Sequence, residues 1–215
     1  DDDELAFCPL QHVDSDTEQA WAEEYVATLC TLRKVSVLPA HRNAIHAAMA
    51  LLRDNPPDMR SLTDFYHLLQ SAELKEALQH YTQKGAMGRL LDATSDNLKT
   101  SRFLCFEIEE LMNMGDDNLI PVLLHIFHRA EKLLLGQPGL FVLDECWIML
   151  GHSAFRAKIR EWLKVFRKAN CAVVLSTQSL TDATRSGIMD VLVESCPTKI
   201  LLPNYSARQD GQIEA

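Results

Sequence analysis

Two adjacent carboxylates follow a short apolar run in the second half of the chain. Residues 140–143 are all apolar, and Asp144 and Glu145 come directly after them. Because ligands of open α/β sheets bind beyond the carboxyl ends of the strands, such a pair would lie at a ligand-binding edge. In a nucleoside triphosphatase the first carboxylate holds Mg²⁺, often through water, and the second polarises the attacking water. A buried strand followed by a solvated acidic turn explains residues 140–145 equally well.

A polar tip is predicted at the end of a second apolar run. Residues 172–176 run directly into Thr177 and Gln178. An uncharged amide at a strand tip can hydrogen-bond a γ-phosphate or orient a water molecule without adding charge. The alternative is a polar turn that caps the helix following it.

The helix predicted between these two runs, over residues 154–168, ends in two basic residues. Most basic residues along this helix fit a solvated face. Arg167 and Lys168 differ, because they lie at the helix end just before the second run. From that position Arg167 could reach a phosphate bound to a neighbouring subunit.

A phosphate-binding loop is missing from the sequence. The G-x-x-x-x-G-K-[ST] loop cradles phosphates with backbone amides and a lysine, and none of the 8 glycines is followed by Lys. These residues alone are therefore not expected to bind a nucleotide tightly. His125, His128 and Glu131 share a helical spacing, but histidines beside an apolar stripe are more typical of packing than of a metal site.

The elements that must position these residues differ between the two parts of the chain. Residues 14–84 show apolar residues at helical spacing, and Ser61 with Asp64 predicts a capping box there. From residue 85 onward, short apolar runs alternate with helical patterns, which is typical of a parallel sheet covered on both faces. Helices are predicted over residues 119–135 and 154–168, and strands over residues 88–92, 102–107, 139–144, 172–176 and 198–202, with a further strand within residues 5–10.

The predicted organisation is one α/β core with an inserted lobe. We expect residues 1–13 to hold an early strand of the core and residues 14–84 to form an all-helical lobe. Residues 85–215 would supply the remainder of the core, truncated at both ends.

The composition excludes several classes of protein. The 215 residues carry 21 Lys and Arg against 30 Asp and Glu, a net charge of −9, which argues against a surface that coats nucleic acid throughout. The 6 cysteines form no C-x-x-C pair, so zinc and disulfide frameworks are not expected. The cysteine pattern instead predicts a protein of a reducing compartment. No apolar stretch approaches the roughly 18 residues of a membrane helix. The acidic start without Met predicts a piece of a longer protein.

Several motifs become informative when they are taken together and in order. The motifs lie at residues 143–147, 160–164, 166–170, 176–180 and 194–204. The ordered set closely resembles the TrbE-like ATPases of conjugation and type IV secretion, in the CagE/TrbE/VirB group. The resemblance covers nearly the whole chain and includes the stretch 7–10.

The resemblance implies a RecA-like P-loop NTPase core, related to the FtsK and HerA motors, in which a mostly parallel sheet is flanked by helices and interrupted by an all-helical lobe. Asp144 matches the Walker B aspartate that positions Mg²⁺, and Glu145 matches the glutamate that activates water. Gln178 matches the glutamine that senses the γ-phosphate. Arg167 falls in the Arg-Lys motif, where related motors place an arginine finger that acts in trans.

The function implied by the resemblance is an ATP-hydrolysing motor with ATP and Mg²⁺ as cofactors. It would form a ring, expected to be a hexamer, in the bacterial cytoplasm at the inner membrane, and would energise channel or pilus assembly and substrate transfer with other secretion components. The P-loop would lie before Asp1, so this piece alone is expected to be inactive. The alternatives are a non-catalytic assembly module, or a HerA/FtsK-type motor that translocates DNA.

Overall fold

The computed structural model describes residues 5–98, 101–107, 111, 113–146, 153–166, 168–177 and 184–202. The chain divides into two compact units, Asp1–Phe127 and His128–Ala215. The helices are α1 (Asp16–Leu32), α2 (Pro39–Arg53), α3 (Leu62–Leu68), α4 (Ala72–Leu78), α5 (Gly88–Leu91), α6 (Asp116–Lys132), α7 (Ser153–Val165) and α8 (Met189–Ser195), and the strands are β1 (Gly139–Leu143) and β2 (Cys171–Leu175).

Side-chain caps begin three helices of the first unit, α1, α3 and α4. The Ser15 hydroxyl accepts a hydrogen bond from Glu18 N at 3.2 Å at the start of α1. At α3 the predicted capping box is confirmed, since Ser61 Oγ accepts from Asp64 N at 3.1 Å and Asp64 Oδ2 accepts from Ser61 N at 2.9 Å. Pro39 begins α2, where a missing N–H costs nothing. The helical character predicted for residues 14–84 is therefore confirmed.

Buried polar side chains connect the loops of this unit. Arg60, 6% exposed, donates to the Asn55, Gln11 and Arg53 carbonyl oxygens and forms an ion pair with Asp14 at 2.7 Å. These bonds satisfy a guanidinium that would otherwise be costly to bury. They fix the chain before α1 against the chain after α2.

The strand predicted over residues 88–92 is wrong. This stretch forms the short helix α5, in which Leu91 N donates to Met87 O at 2.9 Å. A Cβ on Gly88 would lie 2.1 Å from Thr82 O, so the chain folds back closely there and only glycine fits. A continuous apolar run suits a buried helical turn as well as a strand, and here the close turn decides between them.

Three further strand predictions are also wrong for the residues that the structure describes. Residues 5–13 form extended chain and turns, and Phe7 makes isolated backbone bonds to Leu90 O at 2.7 Å and from Ala93 N at 3.0 Å. Residues 101–107 and 198–202 contain no strand, and Phe103 and Ile200 are more than four-fifths exposed. An apolar run becomes a strand only where a neighbour pairs with its backbone groups.

The second unit contains the two strands, which are parallel and hydrogen-bonded to each other. The register pairs Gly139 with Cys171 and Leu143 with Leu175. These strands and the predicted helices α6 and α7 are confirmed, with ends that shift by up to three residues from the sequence-based bounds. The strands therefore end together, at one edge of the sheet.

Helix α7 covers one face of this sheet through aromatic packing. The rings of Trp162 and Phe166 stack with centroids 5.2 Å apart, and Phe141 of β1 lies 5.5 Å from each. The opposite face of the sheet carries Leu140 and Val142, which are 66% and 58% exposed. This alternation along β1 follows from the two-residue period of a strand.

Candidate functional site

The carboxyl ends of β1 and β2 bring the two sequence-predicted polar segments side by side. Leu143 pairs with Leu175 at the end of the ladder, so the acidic pair and Ser176 directly follow the two paired strand ends. Thr177 follows in the described chain. The edge that sequence reasoning assigned to ligand binding therefore exists in the structure.

Directly after β1, at the acidic pair, the chain contains one residue more than an unbroken ladder would have. Ser176 N donates to Leu143 O at 2.9 Å, as this register requires. In an unbroken parallel ladder the Ser176 carbonyl would accept from Glu145 N. It accepts instead from Cys146 N, at 2.9 Å, one residue later. Asp144 and Glu145 therefore form a bulge that the Ser176 backbone brackets on both sides.

The bulge gives the backbone of Glu145 an uncommon conformation. Its φ is +51°, in the left-handed region that a glutamate seldom adopts. The Glu145 N–H, released from the ladder, donates to Asp144 Oδ1 at 3.0 Å. Bulges beside active sites re-aim side chains, and this one changes the simple alternation by which adjacent residues point to opposite faces.

The two carboxylates differ in exposure. Asp144 is exposed, and among the described residues its second carboxylate oxygen accepts no hydrogen bond. Glu145 is half-buried. An exposed carboxylate can accept a hydrated ion, whereas a partly enclosed one is better placed to contact a single water molecule.

The donor set of this edge fits Mg²⁺. That ion prefers oxygen ligands, keeps several waters and is usually held by one or two carboxylates together with substrate phosphates. The exposed Asp144 provides such a carboxylate. The described parts of the chain contain no cluster of three or more His, Cys, Asp or Glu side chains arranged to hold a metal, so an ion here would need ligands from a nucleotide and water.

The cysteine next to the acidic pair is not a nucleophile. Cys146 is 2% exposed, and burial raises the pKa of its thiol to about 11. The negative charges of Glu145 and Asp144 act in the same direction, although more weakly. The thiol therefore stays protonated near neutral pH, and Cys146 packs as a small apolar side chain.

Two of the sequence-predicted site residues, Gln178 and Arg167, lie outside the described residues. Their neighbours are in place, since Thr177 follows β2 and the exposed Lys168 follows α7. Along α7 the Lys158 ammonium contacts Glu131 at 2.9 Å and Glu161 at 3.2 Å. This pairing agrees with the solvated, ion-paired face predicted for most basic residues of this helix.

His125, the first histidine of α6, packs among buried side chains. His125 Nε2 lies 2.7 Å from Asp96 Oδ2, and both side chains are at most 3% exposed. The His125 ring packs 5.1 Å from that of Phe7. His125 therefore belongs to the core of the first unit, which agrees with the packing role that the sequence favours.

Sequence reasoning missed the part that Ser176 plays. Its two main-chain bonds define the bulge, and its side chain is exposed at the edge. The sequence carried one indirect signal, the position of Ser176 directly before Thr177. The offset between the strands depends on hydrogen bonds across the sheet, which no local pattern encodes.

A parallel sheet, helices beside it and acidic residues at its carboxyl edge are typical of nucleotide-binding α/β proteins. The structure of VirB4 from Thermoanaerobacter pseudethanolicus shares the fold, with a TM-score of 0.71 over 96% of this chain and 64% of that chain, at 16% sequence identity. The predicted α/β, RecA-like P-loop NTPase fold is thereby confirmed.

The chain belongs to the TraG P-loop domain family, whose model matches residues 63–211. This places it in a class of nucleotide-binding domains. The predicted resemblance to TrbE-like proteins is confirmed. The chain is 58% identical to a probable conjugal transfer protein TrbE of Sinorhizobium fredii (strain NBRC 101917 / NGR234), over 98% of its own length and 31% of that protein. It is 56% identical to the conjugal transfer protein TrbE of Rhizobium radiobacter, over 98% of its length and 25% of that protein.

The chain therefore spans between a quarter and a third of these two curated relatives. More distant similarity, 26% identity, extends to the type IV secretion system protein virB4 of Bartonella henselae (strain ATCC 49882 / DSM 28221 / CCUG 30454 / Houston 1), over 97% of this chain and 27% of that protein. Within the described residues, no helix has the length and apolar character needed to cross a bilayer.

Proposed function

We propose that this chain belongs to the ATP-hydrolysing motor domain of a conjugative or type IV secretion system. The observation that carries the proposal is the Asp144–Glu145 bulge at the carboxyl edge of two parallel strands. Membership of a P-loop domain family supports a nucleotide as the ligand of that edge. The names of the relatives support conjugation or secretion as the process served.

In this proposal the two carboxylates have separate tasks. The exposed Asp144 would hold the Mg²⁺ ion of Mg·ATP through water, and the ion would supply positive charge beside the phosphates. The half-buried Glu145 orients the attacking water and accepts its proton. The hydrogen bond from Glu145 N to Asp144 Oδ1 holds the Asp144 carboxylate against the Glu145 backbone.

The remaining sequence-predicted residues complete the proposed site. Gln178 would contact the γ-phosphate from the end of β2, two residues after Ser176. Arg167 would act in trans, on a nucleotide held by the neighbouring subunit of a ring, expected to be a hexamer. A P-loop before Asp1 would hold the phosphates, so this chain alone would be inactive.

The proposed setting follows the family. The motor would work at the inner membrane, on its cytoplasmic side, with other components of the secretion apparatus. It would convert ATP hydrolysis into channel or pilus assembly and substrate transfer.

A single substitution tests the proposed reaction. In the parent protein, with the region before Asp1 restored, Glu145→Gln should lower ATP turnover by about 10²- to 10⁴-fold, the range expected for loss of a general base. Steady-state phosphate release measures the effect. The substitution removes charge with little change in size, so folding should be preserved.

Glu161→Gln is the matched control. Glu161 is exposed on α7 and its described partner is Lys158, at 3.2 Å. Its loss should leave turnover close to that of the unchanged protein, because exposed ion pairs contribute little. Unchanged turnover in Glu145→Gln would reject the proposed role of the acidic pair.

The two alternatives from the sequence stay predictions. A non-catalytic assembly module requires that the parent protein show no ATP turnover at all. A DNA-translocating motor requires DNA binding that weakens steeply as salt is raised, because phosphate contacts release counterions.

A further inference from the structure

Asn170, in the turn between α7 and β2, has a backbone conformation that few residues other than glycine adopt. Its φ is +58°, in the left-handed region. Cys171 N donates to Phe166 O at 2.9 Å across this residue, which is the hydrogen bond that closes a Schellman motif after a helix. Glycine is the usual residue at the left-handed position of that motif, and asparagine sometimes replaces it. Asn170 therefore turns the chain from α7 into β2.

The same residue connects this turn to the chain before β1. Its side-chain Nδ2 donates to Gly136 O at 3.2 Å, and its main-chain oxygen accepts from Gly139 N at 3.0 Å. A glycine here would permit the backbone conformation but could not donate the side-chain hydrogen bond. At the other end of the turn, Phe166 is 1% exposed and stacks on Trp162. The turn is therefore fixed at both of its ends.

This turn contains the Arg-Lys motif and lies away from the acidic pair of its own chain. Arg167 and Lys168 lie between Phe166 and Asn170 in the sequence. Because β1 and β2 are parallel, the turn before β2 is at their amino edge, whereas the acidic pair follows their carboxyl edge. The 5 residues of β2 separate the two edges, at about 3.3 Å for each residue. Groups on this turn are therefore better placed for a neighbouring chain than for their own.

We propose that Asn170 is a positioning residue for Arg167, and that its left-handed turn fixes the direction in which the Arg-Lys motif leaves α7. This inference rests on the proposed function, in which Arg167 acts on a nucleotide held by the neighbouring subunit. In this role Asn170 itself contacts no nucleotide. A displacement of about 1 Å in a group that acts on the reacting atoms can lower the rate by about 10²-fold. A residue that sets the turn can therefore control turnover without taking part in the chemistry.

Two substitutions at Asn170 test the importance of the left-handed turn. Steady-state phosphate release by the parent protein gives kcat and KM for ATP. Asn170→Ala places an unsuited residue in the left-handed region and should lower kcat by about ten- to a hundredfold. KM for ATP should stay the same, because the nucleotide is held by the other subunit. Asn170→Gly keeps the turn and should restore most of kcat, so equal kcat in the two variants overturns the proposal.

Lys34 provides the matched control, because it follows α1 in the same way. Its φ is +65°, and Val35 N donates to Cys30 O at 3.0 Å, which is the same closing bond as after α7. Lys34→Ala should therefore strain the backbone in the same manner but leave kcat as it is in the unchanged protein. A loss of kcat in Lys34→Ala as large as that in Asn170→Ala would trace the effect to general destabilisation and overturn the proposal.

Mixed assemblies test whether Asn170 acts on the neighbouring subunit. Subunits with Glu145→Gln lack the proposed base but keep the turn, and subunits with Asn170→Ala have the base but a displaced turn. Mixing the two proteins should raise turnover above the average of the separate proteins, because some interfaces then combine an intact base with an intact turn. Turnover equal to that average overturns the proposal.

Failure of this inference can be told apart from failure of the proposed function. If Arg167→Ala leaves ATP turnover intact, the role of Arg167 in the proposed function itself fails. If Arg167→Ala lowers turnover and regains it when mixed with Glu145→Gln, while Asn170→Ala turns over ATP normally, only the role of Asn170 is overturned.

Discussion

At the scale of single residues, Glu145 is subject to two opposing requirements. Its φ of +51° lies in a backbone region that favours glycine. The proposed chemistry instead needs a carboxylate at this position. Residues held in sparsely populated backbone conformations cost on the order of 1–3 kcal/mol and cluster at functional sites. The strain at Glu145 therefore agrees with a catalytic role, although the sequence gives no sign of it.

Two substitutions at this residue measure the strain. Glu145→Gly should be more stable than Glu145→Ala by about 1 kcal/mol, because only glycine adopts the left-handed region without a Cβ clash. Urea denaturation of this chain provides the comparison. At the exposed helical position Lys164 the order should reverse, with Lys164→Gly less stable than Lys164→Ala by about 1 kcal/mol. Equal stability of the two Glu145 variants would contradict the left-handed backbone.

At the scale of elements, the apolar runs that pair with another strand were correctly predicted as strands. The apolar runs without a pairing strand were wrongly predicted as strands. The sequence predicted β1, α7 and β2 because two short apolar runs flank a helix with a clear apolar stripe. Residues 102–107 show an equally apolar run and form no strand in their described part, where Phe103 is 83% exposed. Pairing depends on residues distant in sequence, so local patterns cannot supply it.

The same limit applies to the candidate site. The positions of Asp144 and Glu145 at a strand end could be predicted, because a parallel sheet collects the carboxyl ends of its strands at one edge. The one-residue offset in the hydrogen bonds of the Ser176 backbone could not be predicted, because it depends on two strands together.

The packing of α7 on the sheet gives a prediction at this scale. Trp162 is 2% exposed and stacks on Phe166, with Phe141 of β1 beside it. Trp162→Ala should lower the free energy of unfolding by about 3–5 kcal/mol, the usual cost of removing a buried aromatic side chain. Lys164→Ala, on the exposed side of the same helix, should change it by less than about 0.5 kcal/mol. Urea denaturation followed by circular dichroism measures both, and a loss below about 1 kcal/mol for Trp162→Ala would contradict the packing described.

At the scale of the whole molecule, the chain consists of two compact units, and it spans 31% and 25% of the two TrbE relatives. The boundaries predicted at residues 13 and 84 follow changes in local pattern. The compact units reflect contacts between residues that are far apart in sequence, and their division falls within α6. An all-helical lobe over residues 14–84, inserted into the core, stays a prediction.

The sheet face opposite α7 has a practical consequence for handling the chain in solution. Leu140 and Val142, with Val174 beside them, present a contiguous apolar strip that is 47–66% exposed. Exposed strips of this kind promote association between molecules. We expect the isolated chain to scatter more light as its concentration rises, and Val142→Lys to suppress that rise. Ala157→Lys adds the same charge on the exposed side of α7 and should not suppress it, so equal suppression by both variants would trace the association to net charge. This exposed face of the sheet would then also set the concentration at which the chain remains monodisperse.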